Sequence, residues 1–252
     1  MSERDESKAV VQRGRCSRGH LSWGLWLMLI VFHPMADLIF RREVWNSARI
    51  PAHGPAIIVA NHISIADPVS FARGVWDAGR IPQFLAKNTL YRGGFGVILR
   101  SAGQIPVYRA TSAAPDSLRA AVAALERGEV VCIYPEGTVT RDPDWWPMVA
   151  RNGVARLVLS VDAPVIPVGQ WGPQLTHHYS TKKWSVFPRK QTICNVGNAV
   201  DVSGYRGRPV TGEMLQEITD KIMVSVRHQL AEIRQEPPPA DFYRDARTGA
   251  DE

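Results

Sequence analysis

From residue 56 onward, short apolar runs alternate with stretches of helical spacing. The runs over 56–60, 83–86, 104–108, 130–134, 165–168 and 192–196 are rich in β-branched residues and predict strands. Between them the pattern predicts helices over 68–78, 94–101, 117–127, 152–161 and 211–234. The 117–127 stretch, "SLRAAVAALER", is amphipathic and is closed by Gly128. The last helix places Met214, Leu215, Ile218, Ile222, Val226 and Leu230 on one face. Strands alternating with helices predict one α/β domain with a mixed, mostly buried sheet flanked by helices. Ligands in such domains gather at the ends of the strands.

Upstream, the pattern changes. Residues 1–20 form a polar tail, followed by "HLSWGLWLMLIVFHPMADLIFRR", of which only Leu25 to Phe32 is continuously apolar. That is far short of the roughly 20 residues needed to span a bilayer. Arg13, Arg15 and Arg18 precede the run as in a signal peptide, but no small-residue cleavage site follows it. Both ends are basic, so a single span would strand one basic end on the wrong side. The expectation is a pair of short helices within 21–45, bent at His33-Pro34 and lying in one leaflet, with Trp23, Trp26 and Trp45 at the interface. The alternative is a helix packed on the domain's own core. The domain itself is expected over 46–235, with a loose tail over 236–252 opened by three prolines.

Composition narrows the partners. The 252-residue chain is long enough for a sizeable core, and its net charge of +6 favours anionic partners. The cations are dispersed, without interleaved aromatic residues, which argues against nucleic acid. Cys16, Cys132 and Cys194 fit no metal spacing and read as reduced thiols.

Three stretches carry candidate chemistry. In "IIVANHISIADPVSF" a strand ends at Asn61 and His62, with Ser64 and Asp67 just beyond. A carboxylate that accepts from one imidazole nitrogen fixes the tautomer and makes the other a better base. Ser64 is poorly placed as a nucleophile, so the nucleophile would be a substrate hydroxyl deprotonated by His62. Taken alone, such a pair is more often a surface hydrogen bond. In "CIYPEGTVTRDPD" Glu136, Gly137 and Thr138 follow a strand, and Arg141 adds a charge. By itself this is an ordinary turn. In "GGFGVILRSAGQIPVYRA" a strand ends at Arg109, a residue type able to clamp phosphate. Lys87 ends the strand before it in the same way, and both read equally as solvated edge charges.

Taken in order, these stretches resemble the glycerolipid acyltransferase family, of the 1-acylglycerol-3-phosphate acyltransferase type. Asn61, His62, Ser64 and Asp67 match its N-H-x-S-x-x-D motif. Gly103 through Arg109 match its second motif, and Pro135, Glu136, Gly137 and Thr138 its third. Gly153 through Leu157, with Val165 through Val168, match the fourth. The resemblance covers about 50–200. Val139 stands where the family commonly has arginine, and Arg141 would take over part of that role.

The resemblance implies an O-acyltransferase with no metal or cofactor. The donor would be acyl-CoA or acyl carrier protein, and the acceptor a lysophospholipid, 1-acylglycerol 3-phosphate first among them. His62 would be the base, oriented by Asp67, without an acyl-enzyme. Asn61, Ser64, Lys87, Arg109, Glu136, Gly137, Thr138 and Arg141 would contact substrate. It implies membrane lipids as partners and a monotopic or peripheral place on the cytoplasmic face of the cell membrane. A related acceptor such as glycerol 3-phosphate is the nearest alternative. A lipid hydrolase would need a G-x-S-x-G elbow, which the chain lacks. A non-catalytic membrane-binding module is the remaining alternative.

Overall fold

The structure, a computed structural model, describes residues 21–108 and 114–245. The polar tail over 1–20, the end of the C-terminal tail over 246–252, and Arg109 lie outside the described residues. A helix, α1 (Trp23–Ile39), leads into a seven-stranded sheet. The strands are β1 (Phe40–Trp45), β2 (Ala56–Ala60), β3 (Pro82–Lys87), β4 (Ile105–Val107), β5 (Val130–Ile133), β6 (Val165–Trp171) and β7 (Lys190–Val196). Between and after them come α2 (Asp67–Asp77), α3 (Gly93–Ser101), α4 (Ala114–Glu126), α5 (Gly153–Ser160) and α6 (Gly212–Arg234).

The strand order is β1-β7-β6-β2-β5-β3-β4. All neighbours are parallel except β6 and β7, so the expected mixed sheet is present. β2 sits at the centre, between β5 and β6, with all five residues buried. Alternate residues serve opposite faces. Ile57 and Val59 join Val131 and Val165 under α4, α5 and α6. Ile58 and Ala60 join Cys132 and Ile166 under Phe71 and Val75 of α2. α6 buries the predicted apolar stripe, and its Thr211 cap accepts the Met214 N–H at 3.1 Å.

Two expectations fail at the N-terminus. Residues 40–45 form a sheet edge strand, β1, paired with β7 from Phe40↔Lys190 to Trp45↔Asn195. The sheet therefore begins before residue 46. The segment before it is one helix, not two, and it continues through Pro34. Proline removes one helical hydrogen bond, but packing on both sides holds the axis. Before it, the Ser22 side chain accepts the Leu25 N–H at 3.2 Å, and the Gly24 N–H donates to Ser101 Oγ at 3.1 Å. A β-carbon on Gly24 would fall 2.6 Å from the Ser101 β-carbon, so only glycine allows α1 this close to α3. Just before the proline His33 meets Trp76 edge-on at 5.1 Å, and beyond it Ala36 and Phe40 are buried with Ala66 and Asp37 pairs with Arg42 at 2.6 Å. Among the described residues no helix is long and apolar enough to cross a membrane. α1 nevertheless leaves Trp23, Trp26, Ile30, Val31 and Leu38 more than half exposed along one stripe.

Candidate active site

The site lies where β2 and β5 end. β2 delivers Asn61 and His62, and the turn from residue 62 to 66 wraps around the Asp67 carboxylate at the start of α2. Asp67 Oδ2 accepts from His62 Nδ1 at 2.8 Å, from the Ile63 N–H at 2.6 Å and from the Ser64 N–H at 3.0 Å. The five-residue spacing thus folds the backbone onto the acid that orients the histidine. Burial pushes the Asp67 carboxyl up, and the imidazole and the two backbone donors hold it down. With Nδ1–H given to the carboxylate, Nε2 carries the free lone pair.

β5 supplies the rest of the cradle. The Tyr134 ring stacks on the His62 imidazole, with centroids 4.3 Å apart. Gly137, at φ 74°, closes a tight turn by donating to the Tyr134 carbonyl at 3.0 Å. The Thr140 N–H donates to the His62 carbonyl at 2.7 Å, and Glu136 Oε1 accepts the His62 N–H at 2.8 Å. His62 is therefore held at both backbone groups, at one ring face by Tyr134 and at Nδ1 by Asp67.

The predicted site residues separate into two groups. His62, Lys87 and Gly137 line one apolar cavity of about 420 Å³, with His62 partly exposed into it. Its walls include Phe84, Tyr134 and Pro68 from the sheet side and Leu25, Met28 and Phe32 from α1. Thr138 is half-buried at the turn beside it. Asn61, Ser64 and Glu136 look inward. Asn61 is fully buried and pairs with the backbone of Gln170, accepting its N–H at 2.8 Å and donating to its carbonyl at 3.0 Å. Ser64 Oγ donates to the His177 carbonyl at 2.9 Å. Glu136 is buried, and its second oxygen accepts the Met148 N–H at 3.1 Å. Burial, with Asp67 and Asp142 nearby, pushes its carboxyl up to about 8 against those two donors. Arg141 is ion-paired with the buried Asp245 of the C-terminal segment. Asn61, Ser64 and Glu136 brace the turn that carries His62, and Arg141 ties the next loop to the C-terminal segment.

Tyr134 is the residue that motif reading missed. Its signal was faint: an aromatic at a strand end, two residues before a buried glutamate. Gln170 was missed for a simpler reason, because the expected strand stopped at residue 168 and β6 runs on to Trp171.

A largely parallel sheet thus carries a histidine–aspartate pair at the strand ends, opening on an apolar cavity. The chain belongs to the acyltransferase family, whose sequence profile matches residues 41–171. It is 25% identical over 135 residues to 1-acyl-sn-glycerol-3-phosphate acyltransferase of Bacillus subtilis (strain 168), covering 52% of this chain and 63% of that one. It is 27% identical over 172 residues to human 1-acyl-sn-glycerol-3-phosphate acyltransferase beta, covering 68% and 59%. The chain thus spans about three-fifths of the length of these relatives. The fold is similar to that of the 1-acyl-sn-glycerophosphate (LPA) acyltransferase PlsC from Thermotoga maritima. The TM-score is 0.61 at 22% identity, over 85% of this chain and 81% of that one.

Proposed function

We propose that the protein moves a fatty acyl group from a thioester, on CoA or on acyl carrier protein, to the free hydroxyl of 1-acylglycerol 3-phosphate. The product is phosphatidic acid, a precursor for phospholipid synthesis. One observation carries the reading: the His62–Asp67 pair, 2.8 Å apart, sits in the wall of an apolar cavity large enough for acyl chain. The relatives' names supply the acceptor.

In the proposed step, His62 Nε2 takes the proton of the acceptor hydroxyl as its oxygen bonds to the thioester carbonyl carbon. Asp67 stabilises the imidazolium that forms. Collapse of the tetrahedral intermediate breaks the carbon–sulfur bond, and the proton passes from His62 to the leaving thiolate. No acyl-enzyme is needed. Lys87, exposed at the cavity edge, is the described cation available to an acceptor phosphate. Arg109 would join it, by resemblance to the family.

The same reading places the protein on the cytoplasmic face of the cell membrane. Its support is the exposed stripe of α1, whose inner face lines the cavity. The test is transfer from labelled palmitoyl- and oleoyl-CoA to a panel of lysophospholipids and glycerol 3-phosphate. Preferred acylation of lysophosphatidic acid is expected. Preferred acylation of another acceptor would reassign the substrate, and thioester hydrolysis without transfer would sink the reading.

A further inference from the structure

The connection between β6 and β7 is long and one-signed, buried near its start and exposed over most of 180–189. From Gly172 to Lys190 it carries Lys182, Lys183, Arg189 and Lys190 and no acidic residue. It forms a small hairpin over residues 176–185. The His178 N–H donates to the Lys183 carbonyl at 3.1 Å, the Lys182 N–H to the His178 carbonyl at 2.8 Å, and the Ser185 N–H to the Thr176 carbonyl at 2.8 Å. Trp184 is 58% exposed and Phe187 is 63% exposed. Lys182 Nζ lies over the Tyr179 ring at 3.7 Å, which leaves a charged head on an aromatic base at the tip.

Topology puts this hairpin beside the candidate active site. β6 runs parallel to β2, so it ends at the His62 edge of the sheet, and β7 starts back from that edge. The hairpin base is tied to the catalytic turn through Ser64 Oγ and the His177 carbonyl. It also meets the end of α1. Arg189 donates to the Phe40 carbonyl at 2.6 Å, two residues from exposed Leu38 on one strand of the link and two from Phe187 on the other. The end of α1 and the segment that follows the hairpin therefore lie side by side, with Arg41 exposed at the junction.

We propose that this hairpin is a second bilayer-docking element that reads anionic lipid headgroups. Exposed tryptophan and phenylalanine suit the interfacial layer, and lysines flanking them meet lipid phosphate. An amphipathic segment and a basic patch act as two signals, and stable attachment to a bilayer generally takes two. A soluble acidic protein would be drawn by the charges but gives no use to two large exposed apolar side chains. Docking of the hairpin also fixes the orientation of the His62 edge, because one hydrogen bond separates it from the catalytic turn.

The inference rests on the reading of a bilayer-resident acceptor, and its test is separable from that reading. The full chain, with Cys16 replaced by serine and Cys132 and Cys194 buried, carries an environment-sensitive dye at Ser180→Cys, at the hairpin tip, or at Asp162→Cys, an exposed position at the opposite edge of the sheet. Binding is measured without substrate, on phosphatidylcholine vesicles with and without phosphatidylglycerol. The dye at residue 180 is expected to enter an apolar environment on the anionic vesicles, while the dye at 162 stays in water. The Lys182→Gln/Lys183→Gln variant is expected to bind anionic vesicles more weakly by ~5-fold or more per cation removed, and neutral vesicles unchanged. Both lysines are exposed, so the fold is not at risk. Wild-type binding by that variant, or a dye at residue 180 that stays in water on bound protein, overturns the proposal. So does a variant that binds vesicles normally but slows only with a carrier-protein thioester, which would assign the surface to an acidic protein. Acyl transfer to a short-chain, water-soluble lysophosphatidate is measured in parallel. Transfer without hairpin insertion removes the hairpin alone, and insertion without transfer removes the proposed function alone.

Discussion

The Tyr134 ring lies face to face with the His62 imidazole, 4.3 Å between centroids and 16° between planes. A stacked aromatic both holds the ring plane and favours a positive charge developing on it. Tyr134→Phe keeps the ring and is expected to retain most activity. Tyr134→Leu is expected to lower kcat about 2- to 30-fold with little change in acceptor KM, the range of one cation–π contact. Steady-state kinetics on both variants check this, and a KM effect without a kcat effect would make Tyr134 a cavity wall only.

His62→Ala is expected to lower acyl transfer by ~10²–10⁴, the usual range for a general base. Asp67→Asn is expected to come close to it. An amide cannot accept three N–H donors in the way Oδ2 does, so either the turn opens or the imidazole loses its tautomer. Circular dichroism with a single-turnover assay separates a lost fold from a lost base.

Glu136 makes stability depend on pH. Its carboxyl titrates at about 8 in the fold against an ordinary 4.5, so unfolding releases a proton between those values. The contribution of this group is fully present below pH 4.5 and is lost as pH rises through about 8. Glu136→Gln lowers stability overall, because one backbone donor then faces an NH₂ group. It is also expected to flatten the slope across that window. Urea midpoints measured across the window for both proteins test the slope, and equal slopes would refute the assignment.

Arg141 is expected to act on stability and not on the acceptor. Arg141→Ala removes one ion pair from the buried Asp245, which should cost about 1–3 kcal/mol given that the arginine is partly exposed. Denaturant titration gives the loss, and a raised acceptor KM with unchanged stability would return Arg141 to the substrate site.

Much of this is legible in the sequence. β2 is a run of five apolar residues because it is buried on both faces, and such runs stand out. α6 was legible because one face of a long helix lies on the sheet. The His62–Asp67 spacing marked a turn, and the turn is there. β1 was hidden because an edge strand alternates: Phe40 goes inward while Arg41 and Glu43 go to solvent, so the stretch looked like the basic flank of a membrane segment. The role of Glu136 was hidden differently. Motif membership says that a carboxylate is required, but not that it faces two backbone N–H groups inside the protein. Pro34 misled because the local rule for proline is a bend, and the packing that overrides it comes from Trp76 and Ala66, some 30 to 40 residues later in the chain.

α1 has two apolar faces with different occupants. Leu25, Met28 and Phe32 look into the cavity, while Trp23, Trp26 and Ile30 look out. With its outer face in a bilayer, this helix would be a partition with hydrocarbon on both sides, one helix diameter thick. An acyl chain could then reach His62 by sliding around the end of α1, without its methylenes ever meeting bulk water. Removing α1 would not merely unmoor the protein. It would drain the cavity into solvent, so even a fully soluble substrate pair should turn over poorly.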